Sequence, residues 1–218
     1  MRTGGRAETL RESRVIATVQ LPSDQQLLRR AVAALAEGGV RAVELPYTTV
    51  QNAGWIIQTL KENELLIGVG AITRASQARQ SGMLGADFIT SAVTTPDVVS
   101  SCKKMDIPCI LSGLTPTEVW RAQEMGADFV KVCAGVFGGP DYIGSVHESL
   151  PALHLVGAEM PLDDYHPYLE AGAELLQFKN SLDILALVER EKWEEISRRA
   201  SSIVNACDSW TAKQNPQT

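Results

Sequence analysis

One lysine stands alone in a stretch that otherwise has the composition of a buried strand. The stretch runs from Gly126 to Cys133 (GADFVKVC), and Lys131 carries its only positive charge. Burial of an ammonium ion costs several kcal/mol or lowers its pKa until the amine is neutral. A neutral amine in a desolvated pocket attacks carbonyl carbon and forms a Schiff base. Lys131 is therefore a candidate nucleophile, and the alternative is a strand-end lysine whose stem is buried and whose head reaches solvent.

A repeated phrase links this lysine to three other polar residues. Glycines 39, 85, 126 and 172 each stand between a helical pattern and a strand pattern, and they lie 46, 41 and 46 residues apart. The residue five places after each glycine should occupy the same register on its strand. These four residues are Glu44, Thr90, Lys131 and Gln177.

The repeat also predicts where these four side chains point. Alternate strands of an eight-stranded α/β barrel contribute one layer of interior side chains, so the four residues are expected to form one layer near the strands' carboxyl ends. Strands two and six lie across the barrel axis, which places Glu44 opposite Lys131. A purely structural layer would consist of Val, Ile or Leu, because buried polar groups need partners. The polar layer therefore favours a functional site.

The elements that hold this layer alternate between short β-branched runs and longer amphipathic patterns, as in βαβ units. Strands are predicted at 14–19, 41–45, 65–71, 88–91, 109–112, the lysine stretch, 153–156 and 175–178. Helices are predicted at 25–37, 52–63, 74–84, 96–104, from 115–116 onward, 142–149, 162–171 and 183–206. Eight such pairs predict a (β/α)8 TIM barrel that forms one domain over residues 1–218, with a short lead-in at 1–13 and a frayed tail at 208–218.

Composition excludes several other classes of protein. The 218 residues are 44% hydrophobic and 21% charged, with a formal net charge of −6. The basic residues are scattered, which argues against nucleic acid binding, and no apolar run approaches the length of a membrane span. The four cysteines (Cys102, Cys109, Cys133 and Cys207) have neither zinc-site nor disulfide spacing. We expect a cytoplasmic protein that contacts neither membrane nor nucleic acid.

Two segments resemble the family of 2-keto-3-deoxy-6-phosphogluconate (KDPG) and 4-hydroxy-2-oxoglutarate (KHG) aldolases. EGGVRAVEL at 37–45 is similar to that family's second strand with its acid/base glutamate, and FVK at 129–131 is similar to its Schiff-base strand. The resemblance covers about residues 8 to 206. It implies that Lys131 forms an imine with a 2-oxo acid and that Glu44 moves protons, in a class I aldolase or a decarboxylase. It also implies a cytosolic homotrimer that needs no metal or other cofactor.

The substrate-holding positions depart from the family's pattern. Where the family has an arginine shortly after the glutamate, this chain reads PYTT at 46–49, so Thr48 occupies a candidate binding position. The family's Gly-Ala-Gly-Thr is GVGA at 68–71, which replaces a threonine hydroxyl by Ala71. The family's Ser-Pro on strand four is Ser91-Ala92, and Thr90 precedes it. We expect Thr48, Ala71, Thr90 and Ser91 to border the substrate.

The family's phosphate-binding loops are altered as well. After strands seven and eight, the corresponding positions are Gly157, Ala158, Lys179 and Ser181. Ala158 restricts the approach of a ligand to the backbone, and neighbouring Glu159 brings negative charge toward any phosphate. A short, unphosphorylated 2-oxo acid is therefore the predicted substrate.

Two other functions stay open at this point. The first is a barrel that kept the fold but lost turnover and now serves as a binding or regulatory protein, which the replaced binding residues favour. The second is a phosphate-binding barrel of another pathway, which the joint presence of Glu44 and Lys131 opposes. Cys133 shares the alternation of Lys131 and is predicted to face inward, where a cysteine usually acts as a small hydrophobe.

Overall fold

Eight parallel strands close into a barrel in chain order, with β1 pairing both β2 and β8. The computed structural model describes residues 3–20, 24–51, 54–61, 64–133, 137–163, 165–179 and 181–214. The predicted (β/α)8 architecture is confirmed. The strands are β1 (Val15–Thr18), β2 (Ala42–Pro46), β3 (Leu66–Ile72), β4 (Phe88–Ser91), β5 (Cys109–Ser112), β6 (Phe129–Val132), β7 (Leu155–Ala158) and β8 (Ala173–Phe178).

Helices surround the barrel and follow each strand. They are α1 (Thr3–Ser13), α2 (Gln25–Glu37), α3 (Tyr47–Val50), α4 (Trp55–Leu60), α5 (Ala75–Met83), α6 (Pro96–Lys104), α7 (Pro116–Glu124), α8 (Gly139–Ser149), α9 (His166–Glu170), α10 (Ile184–Glu189) and α11 (Trp193–Gln214). The amphipathic pattern of α2 buries Leu28, Val32 and Leu35 on one face. In the described part of the chain, no helix combines the length and apolar composition that a membrane crossing requires.

The repeated glycines end helices in the way the sequence predicts. All four have a left-handed backbone, with φ between 89° and 104°, which glycine adopts without the strain of a Cβ atom. The aspartates two residues after Gly85 and Gly126 then align neighbouring strands. Asp87 accepts a hydrogen bond from Ile67 N at 2.9 Å, and Asp128 accepts one from Cys109 N at 2.8 Å. The repeat therefore encodes both a helix stop and the start of a correctly paired strand.

Two hydrophobic regions are buried, one between strands and helices and the other inside the barrel. The interior region takes one side chain from most strands, including Phe88, Phe129 and Leu175. Leu10 of α1 joins this interior cluster and is only 1% exposed. The segment that the sequence suggested was a simple lead-in is thus a helix that closes the barrel's amino-terminal end.

The structure departs from the predicted boundaries in the second half of the chain. β7 begins at Leu155, two residues later than predicted, and its pairing with β8 shifts register between Leu155 and Val156. α8 begins at Gly139, earlier than predicted, and α9 is limited to 166–170. The long helix predicted at 183–206 is two helices, because Glu191 adopts a left-handed φ of 53° after α10. α11 then continues to Gln214, through much of the expected tail. The predicted helix at 52–63 is α4, with residues 52, 53, 62 and 63 outside the described ranges.

Candidate active site

The interior face of the barrel changes from apolar to polar at the carboxyl ends of the strands. Two residues beyond the apolar layer, the same face carries Thr18, Glu44, Thr90, Lys131 and Gln177. Side chains two positions apart on a strand point the same way, so all five project into the barrel. The carboxyl end is where TIM-barrel enzymes hold their active sites.

A cavity of about 280 Å³ opens at this end of the barrel. It brings together six of the residues that the sequence singled out, from five different strands or the turns that follow them: Glu44, Thr48, Ala71, Lys131, Ala158 and Lys179. Gln177 of the predicted polar layer lines it too. The sequence analysis missed two further polar lining residues, Thr18 and Gln20. Thr18 could have been found, because it follows Ile16 on the inward face of β1.

Four other predicted positions do not line this cavity. Thr90 lies on the interior face but is only 1% exposed. Ser91 faces the other side of β4, and its Oγ lies 2.6 Å from Val93 O and 2.9 Å from Ile72 O. Gly157 is inside β7 and faces outward, since a Cβ atom there would contact α8 and β8 side chains at 3.4–3.5 Å. Ser181 is half-buried and lies outside the lining residues.

Lys131 is half-buried, whereas its neighbours Val130 and Val132 are fully buried. The contrast arises because the lysine points into the cavity while the two valines pack against the helices. The cavity is open at the barrel mouth, so the lysine is less enclosed than the sequence suggested. Among the contacts of the described residues, no ion pair within 4.0 Å joins the Lys131 amine to a carboxylate.

Glu44 is held tightly by its surroundings. Its side chain is buried, at 5% exposure, and Oε1 accepts a hydrogen bond from Thr18 Oγ1 at 3.3 Å. The carboxylate lies against the bare backbone of Gly70, where an added Cβ atom would come within 2.4 Å of both Cδ and Oε1. The other oxygen, Oε2, is buried and has no hydrogen-bond partner among the described residues. One oxygen of the carboxylate is thus paired within the protein, and the other is buried and unpaired among the described residues.

Two charged groups stand at the rim of the cavity. Lys179 follows β8 and is exposed, and Glu159 follows β7 and is half-buried. Glu159 and Ala71 both have left-handed backbones, with φ of 60° and 59°. Non-glycine residues in this region are strained, and such strain clusters at ligand-binding sites. The rim therefore carries one cationic and one anionic side chain beside the cavity.

A second, wider groove of about 530 Å³ adjoins the cavity and shares Ala92 with it. Cys133 is half-buried and lines this groove together with Ser112 and Phe137. Cys133 therefore does not join Lys131 in the polar cavity, although the two share the alternation of the strand. Within the described ranges, no group of three or more His, Cys, Asp or Glu side chains could hold a metal ion.

The chain matches the family model for KDPG and KHG aldolases over residues 7–199. It is 31% identical over 151 residues to the 2-dehydro-3-deoxy-phosphogluconate aldolase of Treponema pallidum, which covers 68% of this chain and 71% of the relative. A protein of the same name from Haemophilus influenzae is 24% identical over 209 residues, covering 91% and 94% of the two chains.

The fold is also that of a solved aldolase. The chain superposes with a TM-score of 0.78 and 18% identity on the KDPG aldolase of Legionella pneumophila, covering 93% of this chain and 98% of the other. In that crystal structure, pyruvate was captured at low pH as a covalent carbinolamine intermediate.

Proposed function

The chain belongs to the KDPG and KHG aldolase family, and we propose that it is a class I aldolase that cleaves a short, unphosphorylated 2-oxo acid to pyruvate and an aldehyde. The observation that carries the proposal is the presence of Lys131 and Glu44 in one cavity at the carboxyl end of the barrel. A primary amine and a carboxylate are the two groups that imine-based aldol cleavage requires.

The first step is formation of the imine. Lys131 Nζ attacks C2 of the oxo acid and gives a carbinolamine, with the proton of the amine passing to the former carbonyl oxygen. Loss of that oxygen as water leaves a protonated imine. Glu44 Oε2 is suited to move these protons, because Glu44 lines the cavity and this oxygen has no partner among the described residues.

The second step breaks the bond between C3 and C4. Glu44 removes the proton from the hydroxyl on C4, the aldehyde leaves, and the electron pair of the broken bond moves into the imine to give an enamine. Protonation of C3 and hydrolysis of the imine by water then release pyruvate and restore Lys131. The same electron sink would serve decarboxylation of an oxo acid that has a carboxylate at C4. The protonated imine accepts the electrons, so the scheme itself calls for no metal or other cofactor.

Lys179 is the proposed partner of the substrate carboxylate. The cavity has two lysines, and Lys131 is engaged in the imine, which leaves Lys179 as the cation at the rim. Thr48 lines the cavity at the position where the family's arginine is expected, and its hydroxyl supplies a hydrogen bond in place of a charge. A lysine acts as a single point charge, so Lys179 should bind the substrate carboxylate more weakly than a bidentate arginine would.

Glu159 and Ala158 argue against a phosphate on the substrate. Both line the rim beside β7, where the negative charge of Glu159 would oppose a phosphate and the methyl group of Ala158 limits access to the backbone. Gly157 faces the helices and cannot compensate. The proposed substrate class is therefore a short 4-hydroxy-2-oxo acid without phosphate.

Assembly and location are part of the same proposal. The resemblance to the family supports a cytoplasmic homotrimer, and the net charge of −6 is in keeping with a protein that binds neither nucleic acid nor an anionic membrane surface. Light scattering of the purified protein would give the mass of the assembly, and a monomer would contradict the proposed trimer.

The decisive experiment is reductive trapping with pyruvate. The protein is incubated with pyruvate, reduced with borohydride and digested, and the modified lysine is identified by mass spectrometry. We expect one adduct on Lys131, none in Lys131→Met, and a retained adduct at higher pyruvate concentration in Lys179→Met. The lysine at the rim is the matched control, because it lines the same cavity.

Two outcomes would contradict the proposal. An adduct on another lysine would move the chemistry away from Lys131. A wild-type protein that stays unmodified at saturating pyruvate would favour a binding or regulatory barrel without turnover, which the replaced carboxylate-binding residues would then explain. In the same assay series, faster cleavage of phosphorylated than of unphosphorylated oxo acids would contradict the assigned substrate class.

A further inference from the structure

Three buried polar side chains form a chain of hydrogen bonds behind Glu44. Gln177 Nε2 donates to Thr18 Oγ1 at 2.9 Å, and Thr18 Oγ1 donates to Glu44 Oε1 at 3.3 Å. The three side chains are 3–5% exposed. They come from β8, β1 and β2, which are consecutive in the closed barrel. Such deeply buried polar groups depend largely on one another for hydrogen bonding.

The order of these residues fixes the direction of each hydrogen bond. A threonine hydroxyl has one proton, and an ionised carboxylate can only accept. The Thr18 proton must therefore point to Glu44, and the Thr18 oxygen must accept from a neighbour. The amide nitrogen of Gln177 is that neighbour. If the amide were reversed, its oxygen would compete for the single Thr18 proton and Glu44 Oε1 would lose its donor.

The same arrangement leaves one acceptor atom unpaired on each of two residues that line the cavity. Glu44 Oε2 and Gln177 Oε1 are both buried and lack a hydrogen-bond partner among the described residues. Gly70 supports the opposite side of the carboxylate, because any Cβ atom there would overlap Cδ and Oε1. The carboxylate is thus held at Oε1 and presents Oε2.

We propose that Thr18 and Gln177 are positioning residues that hold Glu44 with Oε2 directed at the substrate, so that this one oxygen carries the protons of the reaction. The inference rests on the proposed aldolase function and adds two residues to it. Neither residue attacks the substrate or takes a proton from it. Their contribution is to remove the rotational freedom of the Glu44 carboxylate before substrate binds, which lowers the barrier to proton transfer.

If the chain of hydrogen bonds only supported the fold, a different pattern of pairing would be expected. A buried polar cluster that only supports the fold has its donors and acceptors paired within the cluster. Here one acceptor atom on each of two cavity-lining residues, Glu44 Oε2 and Gln177 Oε1, stays unpaired among the described residues. Unpaired buried acceptors cost stability, which is consistent with a site arranged for a ligand.

Imine formation and proton transfer can be measured separately with pyruvate alone. Borohydride trapping reports imine formation at Lys131, and exchange of the pyruvate methyl hydrogens in deuterium oxide, followed by NMR, reports proton transfer at C3. Trapping after imine formation has reached equilibrium reports its extent and not its rate, so we expect Thr18→Val to keep the wild-type dependence of that trapping on pyruvate concentration. Exchange should slow by about 10- to 100-fold, the loss that a small misplacement of a catalytic group produces.

Two variants test whether the effect comes from the hydrogen bonds. Thr18→Ser keeps the hydroxyl, so its exchange rate should return to within about threefold of wild type. Gln177→Met removes the donor to Thr18 at similar side-chain length and should slow exchange less than Thr18→Val does. Combined with Thr18→Val, it should add little, because residues that act as one unit are not additive.

The outcomes separate this inference from the function on which it rests. If wild-type protein gives no pyruvate adduct, the proposed function fails and the inference fails with it. If the adduct forms but the exchange rate is unchanged in Thr18→Val, the positioning role alone is overturned. The same holds if the reductions in exchange rate of Thr18→Val and Gln177→Met add fully in the double variant. Thermal unfolding of each variant identifies misfolded protein, and Thr18→Ser and Gln177→Met still decide the question if Thr18→Val does not fold.

Discussion

The two ends of the barrel each hold a carboxylate among polar groups, but they treat it in opposite ways. At the amino-terminal end, Glu174 has both oxygens engaged: His154 Nδ1 lies 2.7 Å from Oε1, and Arg11 Nε donates to Oε2 at 2.8 Å. At the carboxyl end, Glu44 has one oxygen engaged at 3.3 Å and the other unpaired among the described residues.

The difference indicates that the cluster around Glu174 supports the fold and that the cluster around Glu44 is suited to bind a ligand. Arg11 ties α1 to β8 and also lies over the ring of Phe129, 5.3 Å from its centroid. That cluster holds the helix that closes the barrel, and its charges are neutralised within it. The unpaired acceptors around Glu44 lower stability until something binds there. At the two ends of the barrel, the carboxylate with both oxygens paired thus belongs to the cluster that supports the fold, and the partly paired carboxylate belongs to the proposed site.

The largest expected effect at the mouth is that of Glu44→Gln. The amide keeps the shape of the side chain and can still accept a hydrogen bond from Thr18, but it cannot take up a proton. We expect kcat for cleavage of a 4-hydroxy-2-oxo acid to fall by about 10²- to 10⁴-fold, the usual contribution of a general acid or base. Borohydride trapping of pyruvate on Lys131 should persist once slower imine formation has reached equilibrium, so the measurement is the ratio of turnover to adduct.

Glu174→Gln is the matched control at the other end of the barrel. It makes the same chemical change in a cluster that does not touch the cavity, so turnover should stay within about twofold of wild type. Equal losses of turnover in Glu44→Gln and Glu174→Gln would mean that both substitutions reduce turnover by disturbing the structure. The contrast between the two ends of the barrel would then disappear.

The part of the site that could be predicted was predicted from periodic patterns, which can be read from a single sequence. The repeated glycine fixed the register of strands two, four, six and eight, and strand alternation placed Glu44, Lys131 and Gln177 on the inward face. Thr18 was missed because β1 lacks the glycine repeat and because threonine is an ordinary strand residue. The hydrogen bond from Gln177 to Thr18 joins residues 159 positions apart, and no local pattern reports such a contact.

The errors lie where the backbone leaves its regular geometry. β7 spans 155–158 and not the predicted 153–156, and its pairing with β8 shifts register between Leu155 and Val156. Gly157, expected in a loop at the rim, is therefore inside the strand and faces outward. The left-handed Glu191 divides one amphipathic pattern into α10 and α11. The backbone angle of Glu191 is one that non-glycine residues rarely adopt, and composition gives no signal for it.

At the base of the barrel, Glu174→Gln should lower stability. Burial alone would raise the pKa of Glu174, but hydrogen bonds from His154 and Arg11 outweigh burial and lower the pKa below its ordinary value of 4.5. Losing the charge should reduce the free energy of unfolding by about 1–2 kcal/mol near neutral pH. Urea denaturation of both proteins measures the difference.

The pH dependence of that difference follows from the sign of the shift. A carboxyl group whose pKa is lowered by folding contributes its full stability above the unfolded value, and the contribution is lost as the pH falls through the folded pKa. The gap between wild type and Glu174→Gln should therefore be present at about pH 7 and shrink below about pH 4. If the difference in unfolding free energy between the two proteins stayed constant over this pH range, packing and not charge would hold α1 against β8.

The smallest expected effect, and one of opposite sign, is that of Thr90→Val. The Thr90 hydroxyl is buried at 1% exposure and has no hydrogen-bond partner among the described residues, so replacing it by a methyl group should raise the free energy of unfolding by about 1 kcal/mol. Ser81 on α5 is the matched control, because its hydroxyl is equally buried and unpaired in the described structure but lies among the helices. Ser81→Ala should also stabilise the protein, and neither variant should change KM for the oxo acid, since neither hydroxyl lines the cavity. A destabilised Thr90→Val would mean that this hydroxyl already has a partner in the free protein, and the polar mouth would then resemble the base.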